Sequence, residues 1–64
     1  MIEPIEPIEI KKARLKLGLT QKQAGEVVRA KRRTWQDWEL GNRNMPIAKW
    51  ELFRIKTGGG NETV

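Results

Sequence analysis

The chain has 64 residues, with 13 Lys or Arg against 8 Asp or Glu and a formal net charge of +5. This length allows one small domain that buries a modest fraction of its surface and often depends on oligomerisation. Because the sequence contains no cysteine and no histidine, it excludes disulfides, zinc sites and thiol or imidazole catalysis. No apolar run approaches a membrane span and no signal-peptide pattern opens the chain, so we expect a soluble cytoplasmic protein without a cofactor or metal.

The charges are unevenly distributed along the chain. Residues 1–10 hold three Glu and no basic residue, whereas residues 11–33 hold nine Lys or Arg and one acid, Glu26. Residues 34–64 balance four basic against four acidic residues. A basic cluster is either a solvated surface or the footprint of a nucleic-acid partner, and the run RAKRR at residues 29–33 favours the second interpretation.

Residues 2–9 are a triplet repeat, IEPIEPIE. Because Pro4 and Pro7 disfavour a helix before them, we expect an extended acidic arm over residues 1–7. Two interpretations of this arm stay open: a frayed leader, or a segment whose isoleucines pack on the domain. We expect the domain to span residues 8–57 and a glycine-rich flexible tail to follow over residues 58–64.

Two helices are predicted in the first half of the domain. Apolar residues at helical spacing predict a helix over residues 8–17, which Gly18 ends. Its expected buried stripe is Ile10, Ala13 and Leu17. Thr20 is placed to cap a second helix, since its hydroxyl can accept from the free amides of the opening turn. The apolar stripe of this second helix is Ala24, Val27 and Val28.

A third helix is predicted from Lys31 to Leu40, and Gly41 is suited to end it because glycine tolerates a left-handed backbone. At about 100° per residue, Trp35 and Trp38 share one face, which we expect to be buried. The other face presents long polar side chains that are able to pair with base edges. These residues are Arg33, Gln36 and Asp37, followed by Leu40, with Arg32 at the entrance of the helix.

A fourth helix is predicted from Pro46 to Lys56, after a loop at residues 42–46. It is apolar on two sides and therefore needs two surfaces to pack against. One side carries Ala48, Leu52 and Ile55, and the other carries Trp50 and Phe53. We expect Trp50 and Phe53 to form the interface of a homodimer.

Several short motifs in residues 10–46 occur together in one register. They are "LTQ" at residues 19–21, a small residue at Gly25, apolar Val28, Trp35 and Trp38, and "WELG" ending at Gly41. In this register the chain resembles the helix-turn-helix of the Cro/cI-like (Xre) family of bacterial and phage DNA-binding regulators. The resemblance implies an all-α, four-helix, lambda-repressor-like domain, here with an extended N-terminal arm and a flexible C-terminal tail.

The resemblance also implies a salt bridge between Arg14 and Glu39, which fall where the family pairs its first and third helices. One position departs from the family pattern. The corner between the second and third helices usually carries glycine, and this chain has Arg29 there. We therefore expect either strained torsions at Arg29 or a remodelled corner.

In the DNA-bound arrangement of this motif, the second helix of the pair lies in the major groove. The candidate base-reading residues are Arg32, Arg33, Gln36 and Asp37. Arginine can donate twice to guanine, and glutamine can pair with adenine. Asp37 could accept from cytosine or hold Arg33 in a fixed rotamer, and we favour the second role. The candidate phosphate-binding residues are Gln21, Lys22, Lys31, Asn42, Arg43 and Asn44.

The function that these expectations describe is sequence-specific binding of double-stranded DNA by a transcriptional regulator. A dimeric repressor on an inverted-repeat operator fits best, of a phage, prophage or anti-CRISPR-associated type, acting at the nucleoid of a bacterial host. We expect no enzyme activity and no small-molecule ligand. The alternative is an antitoxin that neutralises a protein partner and autoregulates its operon. RNA binding is disfavoured because no aromatic residue lies on the polar face of the third helix.

Overall fold

The computed structural model describes residues 5–58, which form an all-helical domain of four helices without a strand. The helices are α1 (Pro7–Lys16), α2 (Gln21–Val27), α3 (Arg32–Leu40) and α4 (Ile47–Lys56). The predicted all-α, four-helix fold is therefore confirmed. Residues 59–64 of the predicted tail (58–64) and residues 1–4 of the predicted arm (1–7) lie outside the described residues. Within residues 5–58, no helix is long and apolar enough to cross a membrane.

Helix α1 begins with Pro7 in its first turn, where the missing amide hydrogen costs nothing because that amide has no partner within the helix. Ile10 is fully buried and Ala13 is partly buried against the core. Leu17, however, is 44% exposed, so its predicted place in the buried stripe is wrong. The reason is that this end of α1 borders an open groove toward α4, and Leu17 lines that groove.

Helix α2 begins with a capping box. The Thr20 hydroxyl accepts from the Gln23 amide at 3.0 Å, and the Gln23 side chain accepts from the Thr20 amide at 2.9 Å. These reciprocal bonds satisfy two amides that the helix itself leaves without acceptors. The predicted cap at Thr20 is therefore present, and Gln23 completes it.

The corner between α2 and α3 is a tight turn. Val28 caps α2, and Arg29 follows with φ of +58°, in the left-handed region. The Arg29 amide donates to the Glu26 carbonyl at 3.2 Å and the Ala30 amide donates to the Gly25 carbonyl at 2.8 Å. This is the Schellman pattern, in which glycine usually occupies the left-handed position. Of the two expected outcomes at the corner, the chain adopts strained torsions at Arg29.

Gly25 is the other residue on which this corner depends. A Cβ atom at Gly25 would lie 2.7 Å from the carbonyl oxygen of Ala30. This oxygen belongs to the backbone that leads into α3, so any side chain at residue 25 would push the corner away from α2. The small residue at this position thus sets how closely α3 follows α2.

The core is centred on the two tryptophans of α3. Trp35 is fully buried and Trp38 is 4% exposed, as the helical spacing predicts. Their rings meet edge to face with centroids 5.6 Å apart, and Trp35 also contacts the Phe53 ring at 5.0 Å. Among residues 5–58, the buried cluster is Ile10, Ala24, Val28, Trp35, Trp38, Met45 and Phe53. One face of α3 is therefore fixed by the largest side chains of the chain.

Helix α4 packs on the core through Phe53, which is only 1% exposed. The prediction that Phe53 lies in a dimer interface is therefore wrong, because this ring fills the core beside Trp35. The predicted second buried face of α4 is also not formed: Ala48 is exposed, Leu52 is partly buried and Ile55 is 54% exposed. Trp50 stays partly buried at the edge, where its ring stacks on that of Phe53.

Candidate nucleic-acid interface

The exposed face of α3 carries the predicted base-reading residues. Arg32 and Arg33 are exposed at its N-terminal end, and Gln36 and Asp37 are partly exposed one turn further on. The structure thus brings all four side chains onto the face opposite the buried tryptophans. Leu40 is 63% exposed on the last turn of the same helix. This arrangement leaves long polar side chains on a helix whose other face is fixed.

Asp37 lies close to Arg33 on this surface. The Arg33 Nε and Asp37 Oδ1 atoms are 3.8 Å apart, and the two side chains are 83% and 19% exposed. A pair at this spacing on a helix biases the rotamer of the longer side chain without fixing it strongly. The geometry favours the role of Asp37 as a partner of Arg33. The guanidinium group of Arg33 otherwise faces solvent.

Glu39 joins three helices beneath this face. Its carboxylate accepts from Arg14 of α1 at 2.6 and 3.1 Å, from Gln21 of α2 at 3.1 Å, and from the indole N–H of Trp35. The predicted salt bridge between Arg14 and Glu39 is present, with side chains 12% and 5% exposed. Arg14 also donates to the Leu19 carbonyl at 3.0 Å, in the turn before α2.

The surroundings of Glu39 also determine its pKa. Burial alone would raise the pKa of this carboxyl group. The hydrogen bonds from Arg14, Trp35 and Gln21, together with the charge of Arg14, more than offset that effect, so the pKa lies below its ordinary value. Glu39 is therefore ionised at neutral pH and holds the three helices together through charge-assisted hydrogen bonds.

Gln21 is positioned by this network rather than left free. Its side-chain nitrogen donates one hydrogen to Glu39, and the second hydrogen of that amide stays available to a further acceptor. This hydrogen is the donor that Gln21 would offer in its predicted contact with a DNA phosphate. The tether to Glu39 was not predicted from the sequence, because it joins residues 18 positions apart.

The other predicted phosphate-binding residues lie at the surface around α3. Lys22 is exposed on α2, and Lys31 is exposed as the N-cap of α3. Asn42, Arg43 and Asn44 are exposed in the loop after Gly41, which has φ of +82° and ends α3 in the left-handed conformation. The amides of Asn42 and Arg43 donate to the Asp37 carbonyl at 2.9 and 3.3 Å. This tight turn holds the loop beside the C-terminal end of α3.

A groove of about 500 Å³ separates α1 from α4. Leu17, Trp50 and Phe53 contribute apolar surface to it, and Lys12, Lys16 and Arg54 contribute basic groups. The predicted base-reading residues are not among its lining residues. Within residues 5–58, no group of acidic side chains is arranged to hold a metal ion.

The comparisons with known proteins give one partial relationship. The sequence matches no family model. Over 52 residues it is 40% identical to the type II methyltransferase M.MspI of a Moraxella species. The match includes 81% of this chain and 12% of that protein, so the chain spans about an eighth of the relative's length. This overlap relates one segment of the two proteins and does not define a family for the chain.

Proposed function

We propose that the chain is a sequence-specific DNA-binding regulator of the Cro/cI-like helix-turn-helix type. One observation carries this proposal: α3 exposes Arg32, Arg33, Gln36 and Asp37 on one face while Trp35 and Trp38 anchor the other. A helix held in this way can enter the major groove with its N-terminal side chains toward base edges. The two arginines supply the donors that guanine O6 and N7 accept.

The charge distribution supports DNA as the ligand. The net charge is +5, and the predicted phosphate-binding residues flank α3 at both of its ends. Such contacts position a protein on the duplex and make its affinity salt-dependent, whereas base contacts select the sequence. We assign Gln21, Lys22 and Lys31 to phosphates on one side of α3, and Asn42, Arg43 and Asn44 to phosphates on the other.

A second copy of the chain is the occupant that we propose for the groove between α1 and α4. Since Phe53 is buried, the interface consists of Trp50 together with the exposed Leu17. A two-fold dimer would present two α3 helices to half-sites about one DNA turn, ~34–36 Å, apart. We therefore propose that the chain is a small cytoplasmic repressor of phage, prophage or anti-CRISPR-associated type that binds an inverted-repeat operator.

The similarity to a methyltransferase concerns one segment of that protein. The matched segment covers about four fifths of this chain and an eighth of the larger protein. We propose that the shared segment is a helix-turn-helix module. Methyl transfer is not proposed for this chain, because the match includes only 12% of the larger protein.

The proposal is tested by selecting duplexes from a random library with the full chain and measuring dissociation constants for the selected and a scrambled duplex. We expect an inverted repeat to be enriched and bound about 10³-fold or more tightly than the scrambled duplex. Lys56→Ala is the control for loss of a positive charge, since Lys56 is an exposed basic residue at the far end of α4, and this variant should keep the preference for the selected duplex. A library that shows no enrichment over repeated rounds would refute the proposed function.

A further inference from the structure

The corner before α3 is held from outside the helix-turn-helix. Lys49 of α4 donates from Nζ to the Val28 carbonyl at 2.9 Å; Val28 is buried and Lys49 is partly buried. Val28 is the residue that caps α2. The positive charge of Lys49 therefore lies at the C-terminal end of α2, where the carbonyl groups concentrate negative potential.

This contact completes the pattern of hydrogen bonds at the corner. The carbonyls of Gly25 and Glu26 already accept from the amides of Ala30 and Arg29. The Val28 carbonyl immediately precedes Arg29, the residue in the left-handed conformation. Residues other than glycine disfavour the left-handed conformation, so a contact from outside the corner helps to hold Arg29 in it.

The two ends of α3 are therefore fixed by different contacts. Its C-terminal half is tied to α1 and α2 through Glu39. Its N-terminal end, which carries Arg32 and Arg33, directly follows the corner that Lys49 contacts through the Val28 carbonyl. A small rotation at the corner would displace these two side chains most, because they are the first residues of the helix.

We propose that Lys49 is a positioning residue for base recognition: its hydrogen bond to the Val28 carbonyl holds the strained Arg29 corner and so sets the direction in which Arg32 and Arg33 point. This inference rests on the proposed function. Lys49 itself contacts no base in this account, and it acts only through the backbone that leads into α3.

The test compares Lys49→Met with Lys56→Met, which removes an exposed positive charge from the same helix. For the selected duplex, we expect Lys49→Met to weaken binding about tenfold, the scale of one hydrogen bond to a charged group. For the scrambled duplex, both variants should lose the same small amount, because only charge is lost there. Lys49→Arg should restore part of the preference. A Lys49→Met protein that melts earlier but keeps its ratio of selected to scrambled binding would show a purely structural role and overturn the inference.

The strained corner supplies a second variant. Because glycine adopts the left-handed conformation without strain, Arg29→Gly should make the corner less dependent on Lys49, and the loss from Lys49→Met should shrink to roughly threefold in that background. An undiminished tenfold loss would contradict the link between Lys49 and Arg29.

A measurement without DNA separates this inference from the proposed function. In the free protein, hydrogen exchange at the Ala30 amide, which donates to the Gly25 carbonyl, should accelerate about tenfold in Lys49→Met relative to Lys56→Met. Unchanged exchange would overturn the inference even if the wild type selects an operator. Accelerated exchange in a protein that selects no duplex would refute the proposed function and leave the corner contact standing.

Discussion

The α2–α3 side and the α1–α4 side of the domain differ in how closely their helices are held together by side-chain contacts. On the first side, the buried carboxylate of Glu39 accepts from three neighbouring side chains, and Trp35 and Trp38 fix α3. On the second side, a groove separates the helices and leaves Leu17 exposed. The comparison indicates that the surface we assign to DNA is organised within one chain, whereas the α1–α4 surface is the one on which we propose that a second copy binds.

The largest expected effect concerns the Glu39 network. Glu39→Ala leaves the Arg14 guanidinium without its partner in a largely buried position, and breaking such a pair costs about 3–5 kcal/mol. A small domain has total stability of that order, so we expect the variant to be largely unfolded in thermal or urea denaturation followed by circular dichroism. Glu51→Ala, on the exposed part of α4, is the control and should melt like the wild type.

Nearly as large an effect separates the two aromatic residues of α4. Phe53→Ala opens a cavity beside Trp35 and should destabilise the fold by about 3–5 kcal/mol. Trp50→Ala lies at the groove, so it should cost less stability and instead weaken self-association in sedimentation experiments. A wild type that sediments as a monomer at tens of micromolar would reject a stable dimer and leave only pairing on DNA. A dimer that Trp50→Ala does not weaken would place the interface elsewhere.

A smaller effect distinguishes base contacts from phosphate contacts. Arg33→Ala should relax preference at one base position by about 1–3 kcal/mol, since it removes a bidentate donor. Arg43→Ala should weaken binding to all duplexes and reduce the slope of log affinity against log salt by about one. Binding titrations at several salt concentrations measure both quantities. If both variants lose affinity equally for selected and scrambled duplexes, the division between the two residues is wrong.

The smallest expected effect is the pH dependence of stability. The pKa of Glu39 lies below its ordinary value of 4.5 in the folded protein. The stabilisation that follows is therefore fully present above pH 4.5 and is lost as the pH falls through the lower, folded-state pKa. We expect urea denaturation to show that Glu39→Gln removes this acid-dependent loss, whereas Glu26→Gln, an exposed control, retains it. An identical acid profile in all three proteins would contradict the role of the Glu39 charge.

The sequence predicted the α2–α3 side better than the α1–α4 side, for a physical reason. Apart from Leu40 in its last turn, Trp35 and Trp38 are the large apolar residues of α3, so helical spacing identifies its buried face. Helix α4 has apolar residues on two sides, and spacing cannot decide between them. In the structure Phe53 is the α4 residue that packs in the core, where its ring contacts that of Trp35. Leu17 has core-like spacing, but its exposure depends on where α4 lies, which is a tertiary property.

Contacts between distant residues were the least predictable part of the candidate site. The pairing of Arg14 with Glu39 followed from a family resemblance, and strain at Arg29 was one of two outcomes expected from the absence of glycine at the corner. The tether of Gln21 to Glu39 and the contact of Lys49 with Val28 join residues 18 and 21 positions apart. Neither pair has a local spacing or composition signal, because both depend on how the helices pack.

The central claim, that α3 reads bases through Arg33, is tested most directly by removing one acceptor from the DNA. Replacing each guanine of the selected half-site in turn with 7-deazaguanine deletes the N7 acceptor and leaves base pairing intact. At one position, we predict about a tenfold loss of affinity for the wild type and no further loss for Arg33→Ala, because a lost bidentate partner is worth about 1–3 kcal/mol. Equal losses in both proteins at every guanine would contradict the claim.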